Sequence, residues 1–490
     1  MNKSIVIALL VGFIFNLLGV QAFALVYPVS KSFKQAELGE ELPGGQSTVN
    51  KKLNSHSFSQ SSANMKFLRK LDFSLGNAMF RKLWIASPSS TLASDGLGPM
   101  FNAPSCQRCH LKDGRGHPPN ANFPHDNAIS MVMRLSIPPQ NTVQSAALMN
   151  GRLGVIPEPT YGIQLQDLAI TGLKSEGKIH IEYDEMIVDL AGGEQVSLRN
   201  PTYRISHANY GGQHPEMMMS VRVAPPMIGL GLLEAIPAAD ILSLADTEDR
   251  NKDGISGKAN QVWDVSKKRS VLGRFGWKAG QPNLNQQNSD AFSNDMGLAS
   301  RMFRHLSGDC TEVQVGCIKA PHGGSPQHNN LEVGHEAMEL VNFYSRNLAV
   351  PKRIKANSAA VLIGKKLFYQ SGCTGCHYPS YITSKKAAVE QAEQHIWPYT
   401  DLLLHDMGEG LADHRPEFKA TGFEWRTPPL WGIGLTQVVN KHSFFLHDGR
   451  ARNLLEAIIW HGGEALKAQQ KVVNMTPEER YLLISFVESL

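Results

Sequence analysis

The chain has 490 residues, with 48 Lys and Arg against 44 Asp and Glu, for a formal charge of +4. So small an excess, with no basic tract, excludes a protein that binds nucleic acid through charge. The length allows about two or three domains with cores of their own.

Met1-Asn2-Lys3, an apolar run over residues 5–20 and Ala22-Phe23-Ala24 read as a secretory signal cleaved after Ala24. The run is short for a membrane anchor, and no later apolar run is long enough to span a bilayer. Residues 1–24 are therefore predicted as a signal peptide, and the mature chain as periplasmic with no stable membrane span. Residues 25–65 are polar and without clear period, and read as a loose leader.

Cys106-Gln-Arg-Cys109-His110 and Cys373-Thr-Gly-Cys376-His377 both follow C-x-x-C-H, the attachment sequence for a c-type haem. Two thiols add to the porphyrin vinyl groups, and the histidine becomes the proximal iron ligand. A zinc site would keep its two C-x-x-C units close together. A thioredoxin-like pair has no use for the following histidine. The expected cofactors are two covalent haems c, bound through Cys106, Cys109, Cys373 and Cys376, with His110 and His377 on the irons. Cys310 and Cys317 bracket a six-residue loop. In an oxidising compartment they are expected to form a disulfide, with two free buried thiols as the alternative.

In chain order, Phe73-x-x-Gly76-x-x-x-Phe80 precedes the first haem motif, as Gly364-x-x-x-Phe368 precedes the second. In a cytochrome c fold such a helix runs into the motif and packs on the last helix. Asp95-Gly-Leu-Gly-Pro99 reads as a turn. Lys178-Ile-His-Ile-Glu-Tyr183 alternates as a strand does, and residues 196–205 offer a partner for it. Asp249-Arg-Asn251-Lys-Asp253-Gly254 opens like an EF-hand loop, which predicts calcium on Asp249, Asn251 and Asp253, although no Glu stands at the twelfth place. Met338, Val341, Phe343, Tyr344 and Leu348 mark one closing helix. Thr476, Pro477 and Glu479 cap another, whose apolar face is Leu482, Leu483, Phe486, Val487 and Leu490. Val223-Ala-Pro-Pro-Met-Ile-Gly-Leu-Gly-Leu232 aligns without a gap on Arg426-Thr-Pro-Pro-Leu-Trp-Gly-Ile-Gly-Leu435. The expected fold is mainly α: two cytochrome c-like haem domains, 66–350 and 351–490, related by duplication, with a small β insertion in the first.

Several motifs carry a resemblance. They are residues 98–110, Gly229-Leu-Gly-Leu-Leu-Glu-Ala-Ile236, Gly273-Arg-Phe-Gly-Trp-Lys278, residues 399–408 and Phe445-Leu-His-Asp-Gly449. Over roughly residues 70–490 the chain resembles the bacterial di-haem oxidoreductases of peroxidase type, also called thiol oxidoreductases. These are related to the di-haem cytochrome c peroxidases and to MauG. The thiol label has no support here, because every cysteine already has another expected use.

The resemblance implies one haem closed by two protein ligands and another where peroxide binds. In the peroxidases a Met on the helix after a His-x-Gly turn is the distal ligand. The same distance from His447-Asp-Gly449 lands on His461, with Met407 as the rival. For the first haem, His117, His125, His207 and His214 are available, and none has a compelling register. A carboxylate over that haem serves acid–base chemistry in the relatives, and Glu234 is the candidate here. Trp277, Trp425, Trp431 and Trp460 could relay electrons. The implied function is reduction of hydrogen peroxide or a related oxidant, with electrons from a small redox protein or other donor. The alternatives are a non-catalytic di-haem carrier and MauG-like oxidation of a partner protein.

Overall fold

The computed structural model describes residues 32–91, 94–127 and 129–490. The predicted signal peptide lies outside them. Helix exceeds strand among the described residues, with thirteen α-helices and seven separate two-stranded sheets. No helix among them is long and apolar enough to cross a membrane.

Two helix pairs organise the molecule. Helix Arg69–Arg81 buries Phe73, Gly76 and Phe80 against helix His335–Asn347, which offers Met338, Val341 and Tyr344. Helix Ala359–Ser371 buries Val361, Gly364 and Phe368 against helix Pro477–Ser489, with Leu483, Phe486 and Val487. Both pairs need a glycine at the crossing. A Cβ at Gly76 would stand 2.3 Å from the Leu340 carbonyl oxygen, and one at Gly364 would stand 2.0 Å from that of Leu482. One turn on, Phe80 lies 5.2 Å from the Tyr344 ring and 6.2 Å from His110, while Phe368 lies 5.2 Å from Phe486 and 6.1 Å from His377. The last helix starts with the predicted capping box of Thr476 and Glu479.

The two Pro-Pro segments hold equivalent places. Gly229 N donates to Leu348 O at 2.9 Å, and Gly432 N donates to Leu490 O at 2.9 Å, so each segment is tied to the end of its own closing helix. The expected β insertion is a long hairpin: Lys178–Asp189 pairs antiparallel with Gln195–Ser206 in unbroken register. Its Ile179, Ile181, Val196 and Leu198 are buried. The hairpin reaches the second half, where Tyr203 Oη donates to Asp448 at 2.7 Å and Arg199 donates to Gly449 O. A second sheet pairs Met131–Ser136 with Met218–Val223. Cys310 and Cys317 are bonded, with Cα atoms 6.1 Å apart.

Residues 32–65 are not the loose leader that their polarity predicts. Phe58 is buried among Ile228, Leu232 and Trp431. Glu40 is fully buried and accepts from Arg353, from Lys365 at 2.8 Å and from Tyr399 Oη at 2.8 Å. Ser59 donates to Asp113. The segment straps both halves together. Its polar side chains misled the reading because they are paired and buried rather than solvated.

Candidate functional site

Cys106–Cys109 forms one helical turn that ends on His110. Cys106, Cys109 and His110 line a cavity of about 480 Å³, within the ~300–1,000 Å³ range of enclosed small-molecule and cofactor sites. His110 Nδ1 lies 2.9 Å from the Pro225 carbonyl, so this nitrogen donates and Nε2 keeps its lone pair. Burial lowers the His110 pKa and keeps the ring neutral, as an iron ligand must be. Burial also pushes the Cys106 thiol up to about 12 and Cys109 well above its ordinary value, so neither is a ready thiolate. The four motif cysteines carry no disulfide. Neutral thiols and a neutral imidazole on the wall of a roomy, largely apolar cavity fit a haem better than a zinc ion, which requires thiolates.

Charged side chains crowd the rest of the wall. Glu417 is ion-paired with Arg222 at 2.8 Å and accepts from Arg415 at 3.1 Å. Burial works to raise its pKa, but Arg222, Arg415 and Arg134 hold it down at about 2. Asp290 faces Arg134 at 3.6 Å and accepts from Asn294 Nδ2 at 2.8 Å. Burial raises its pKa to about 6, with Arg134 opposing and the Asp295 and Glu417 charges adding. One wall thus holds a carboxylate fixed as an anion and another that exchanges its proton near neutrality.

The predicted acid–base residue is elsewhere. Glu234 does not line the cavity. Its carboxylate accepts from Arg346 at 2.9 Å and from Leu284 N at 2.8 Å, at the start of helix Leu284–Asn294. An unpaired carboxylate in this apolar run would be costly, and Arg346 and a helix N-terminus pair it. None of His117, His125, His207 and His214 lines the cavity; of its lining residues only His110 is a histidine.

The second motif turns through Cys373–Gly375 onto His377. His377 Nδ1 stands 2.9 Å from Tyr399 O, and the Tyr399 hydroxyl is the one anchored on Glu40. Burial lowers the His377 pKa to about 4, opposed by the Tyr399 carbonyl and reinforced by His461. His461 follows helix Leu454–Ile459, and its Nδ1 lies 2.7 Å from Ala457 O, again leaving Nε2 with its lone pair. The rival Met407 is next door: a Cβ at Gly462 would stand 2.9 Å from Met407 O. Cys376 adjoins His405, whose ring is held at 2.7 Å by both Asp401 and Glu464. Burial disfavours an imidazolium there, but Asp401, with Cys376 adding, keeps the His405 pKa well above its ordinary value.

A short chain of groups joins the two regions. Trp277 lines the first cavity and donates from Nε1 to Val223 O at 2.8 Å. Val223 N donates to His447 O at 2.8 Å, and the His447 ring stacks 3.7 Å from Trp425. Trp425 stands opposite His405 in a two-stranded pair.

Residues 39–490 match the family described as "Di-haem oxidoreductase, putative peroxidase". The chain belongs to this di-haem oxidoreductase family. It is therefore an oxidoreductase with haem cofactors. No curated protein sequence matches it. Among solved structures, hydrazine synthase of Kuenenia stuttgartiensis is 17% identical over 38% of this chain and 64% of that one, with a TM-score of 0.22. The match spans under two thirds of that protein, and at this score it bears on neither fold nor activity.

In this oxidoreductase the sequence-predicted haem residues fall into two groups, with Glu234 and the predicted calcium ligands apart from both. Cys106, Cys109 and His110 share the first cavity. Cys373, Cys376, His377 and His461 gather in the second half. Asp249, Asn251 and Asp253 sit on one turn, closed by its own bonds: Gly254 N donates to Asp249 at 3.2 Å, Ile255 N to Asp253 at 2.8 Å, and Asn251 Nδ2 to Asp253 at 3.0 Å. Among the described residues no three His, Cys, Asp or Glu side chains are grouped to hold a metal. Sequence reasoning missed Asp290, Glu417 and the cavity arginines. Arg274 and Arg426 stood inside motifs singled out for their Gly, Pro and Trp, so their charge in an apolar context was the available signal.

Proposed function

We propose that the protein is a periplasmic di-haem c enzyme that reduces hydrogen peroxide or a related oxidant in the first cavity. Electrons from a small redox donor would pass through the second site. Cys106 and Cys109, and Cys373 and Cys376, would hold the haems covalently, with His110 and His377 as proximal ligands. A bound haem supplies a redox-active iron whose reactivity is set by its axial ligands and its surroundings.

The chain's own residues then divide the work. The carbonyls of Pro225 and Tyr399 fix each proximal ring in one tautomer. His461 would hold the second haem iron together with His377, with Met407 as its rival. Reduction of peroxide to two waters takes two electrons and two protons. Asp290 is the group that supports delivery of a proton, because it lines the first cavity and changes charge near pH 6. Glu417, held as an anion, keeps Arg222 and Arg415 in place. Trp277 is the best-placed aromatic for passing electrons between the halves, since its ring lines the first cavity and its indole N–H bonds the strand end that also bonds His447. Calcium in the 249–254 turn belongs to the same proposal.

The observation that carries the reading is the cavity itself, whose lining includes both the C-x-x-C-H residues and a mostly buried, protonatable carboxylate. The test is peroxide turnover by the haem-loaded protein and by Asp290→Asn. We expect a loss of about a hundredfold or more, the scale of a positioned acid–base group, with unchanged haem content. Wild-type protein that carries both haems but never consumes peroxide would favour the electron-carrier alternative.

A further inference from the structure

Apart from the exposed Arg152, the arginines lining the first cavity fall into two classes. Arg134, Arg222 and Arg415 each face a carboxylate, namely Asp290 at 3.6 Å and Glu417 at 2.8 and 3.1 Å. Arg115, Arg274 and Arg426 do not. They are 7%, 9% and 7% exposed, and no carboxylate of the described residues lies within 4.0 Å of any of them. Arg115 donates to Leu446 O at 3.0 Å, Arg274 to Leu233 O at 3.0 Å, and Arg426 to Gly276 O at 2.9 Å and Thr427 O at 3.0 Å. Carbonyl dipoles satisfy some N–H groups, Glu234 and Asp401 act on Arg274 and Arg426 only from beyond 4.0 Å, and Arg115 has no acidic neighbour acting on it, so none of the three charges is directly paired.

A buried, unpaired cation is costly, and a protein keeps one only where a partner neutralises it. Burial pulls each of the three pKa values down to about 10, even against the opposing charges of Glu234 on Arg274 and Asp401 on Arg426, yet guanidinium stays charged at any working pH. Their placement narrows the partner. Arg274 and the carbonyl that receives Arg426 belong to residues 273–278, and the Arg115 guanidinium lies 5.4 Å over the Trp277 ring. All three therefore border one stretch of wall, the one that carries Trp277. The occupant must be apolar over most of its surface and bring carboxylates at one edge.

We propose that Arg115, Arg274 and Arg426 form the clamp for the two propionate carboxylates of the haem held by Cys106 and Cys109. The forked guanidinium suits a carboxylate bidentately, which an ammonium does not. The clamp fixes the rotation of the porphyrin in its cavity and sets the propionate edge beside Trp277. Three guanidiniums against two propionates would leave one net positive charge in the cavity, which would favour the reduced state. The inference rests on the first cavity being a haem site, and the experiment separates the two claims.

Intact mass of the exported protein counts the haems. The propionate-bending band in resonance Raman spectra and the midpoint potential as a function of pH then report on the clamp. Arg115→Gln, Arg274→Gln and Arg426→Gln, made singly with two haems retained, should shift that band and lower the first haem's midpoint potential. They should also make the potential pH-dependent, as a propionate begins to take up a proton near neutrality. The lysine variants keep the charge and lose the fork, so they should hold the potential and still shift the band; they decide the matter where a glutamine variant fails to load. Variants carrying two haems with wild-type band and potential at all three positions would overturn the clamp while leaving the haem site standing. Wild-type protein with no haem at Cys106 and Cys109 would overturn both.

Discussion

Replacing Glu417 with Gln tests the charged wall of the first cavity. Glu417 is the shared anion of Arg222 and Arg415, whose side chains are 9% and 2% exposed. The amide would keep the volume and some hydrogen bonds but strand two buried guanidiniums. Breaking a buried pair on one side costs about 3–5 kcal/mol. The carboxylate's depression from 4.5 to about 2 gives a similar figure, about 3 kcal/mol at neutral pH. The folded-state pKa lies below the unfolded one, so this contribution is fully present above about pH 4.5 and is lost as the pH falls through about 2. Denaturant unfolding of the haem-loaded protein, followed by tryptophan fluorescence at several pH values, measures both. Glu417→Gln should be less stable by about 3 kcal/mol at pH 7, and its stability should fall less steeply than wild type between pH 4.5 and 2. A cost below about 1 kcal/mol, or an unchanged acid slope, would refute the assignment of Glu417 as the anion that holds these arginines.

Other expectations follow from single contacts. Gly364→Ala should destabilise the second half by about 1–3 kcal/mol, although alanine favours a helix by about 1 kcal/mol, because its Cβ meets the Leu482 carbonyl at 2.0 Å; thermal unfolding checks the sign. Asp290→Asn should remove the pH 6 limb from the peroxide rate profile, since that carboxyl titrates at about 6. Reducing Cys310–Cys317 should cost about 2 kcal/mol for so short a loop, read as a lower melting temperature with dithiothreitol. Chelation should lower the melting temperature of the wild type and leave Asp253→Ala unaffected, by mass action on a folded-state ligand; equal responses would leave the 249–254 turn without calcium.

Legibility in the sequence followed the range of the interactions. The helix before each haem motif, the capped last helix and the hairpin are written in local periodicity and caps, so they could be read directly. Gly76 and Gly364 could be read as partners of a later helix because a duplicated spacing pointed to them. The strap of residues 32–65 could not be read, since Glu40 is buried by Arg353 and Lys365, more than 300 positions away. Glu234 failed for the same reason, because Arg346 neutralises it from another helix. Asp290 carries no local mark at all. Its raised pKa comes from burial that only the assembled cavity supplies.

The most direct test of a reactive first haem and a closed second one is an electron paramagnetic resonance spectrum of the resting, fully loaded protein, before and after peroxide. The account predicts one low-spin ferric signal, from the iron between His377 and His461, that His461→Ala converts to high spin. It predicts a second signal from the His110 iron that is high-spin, or becomes so on partial reduction, and that changes when peroxide is added. Two low-spin signals that stay unchanged with peroxide, even after one-electron reduction, would contradict it and leave an electron carrier.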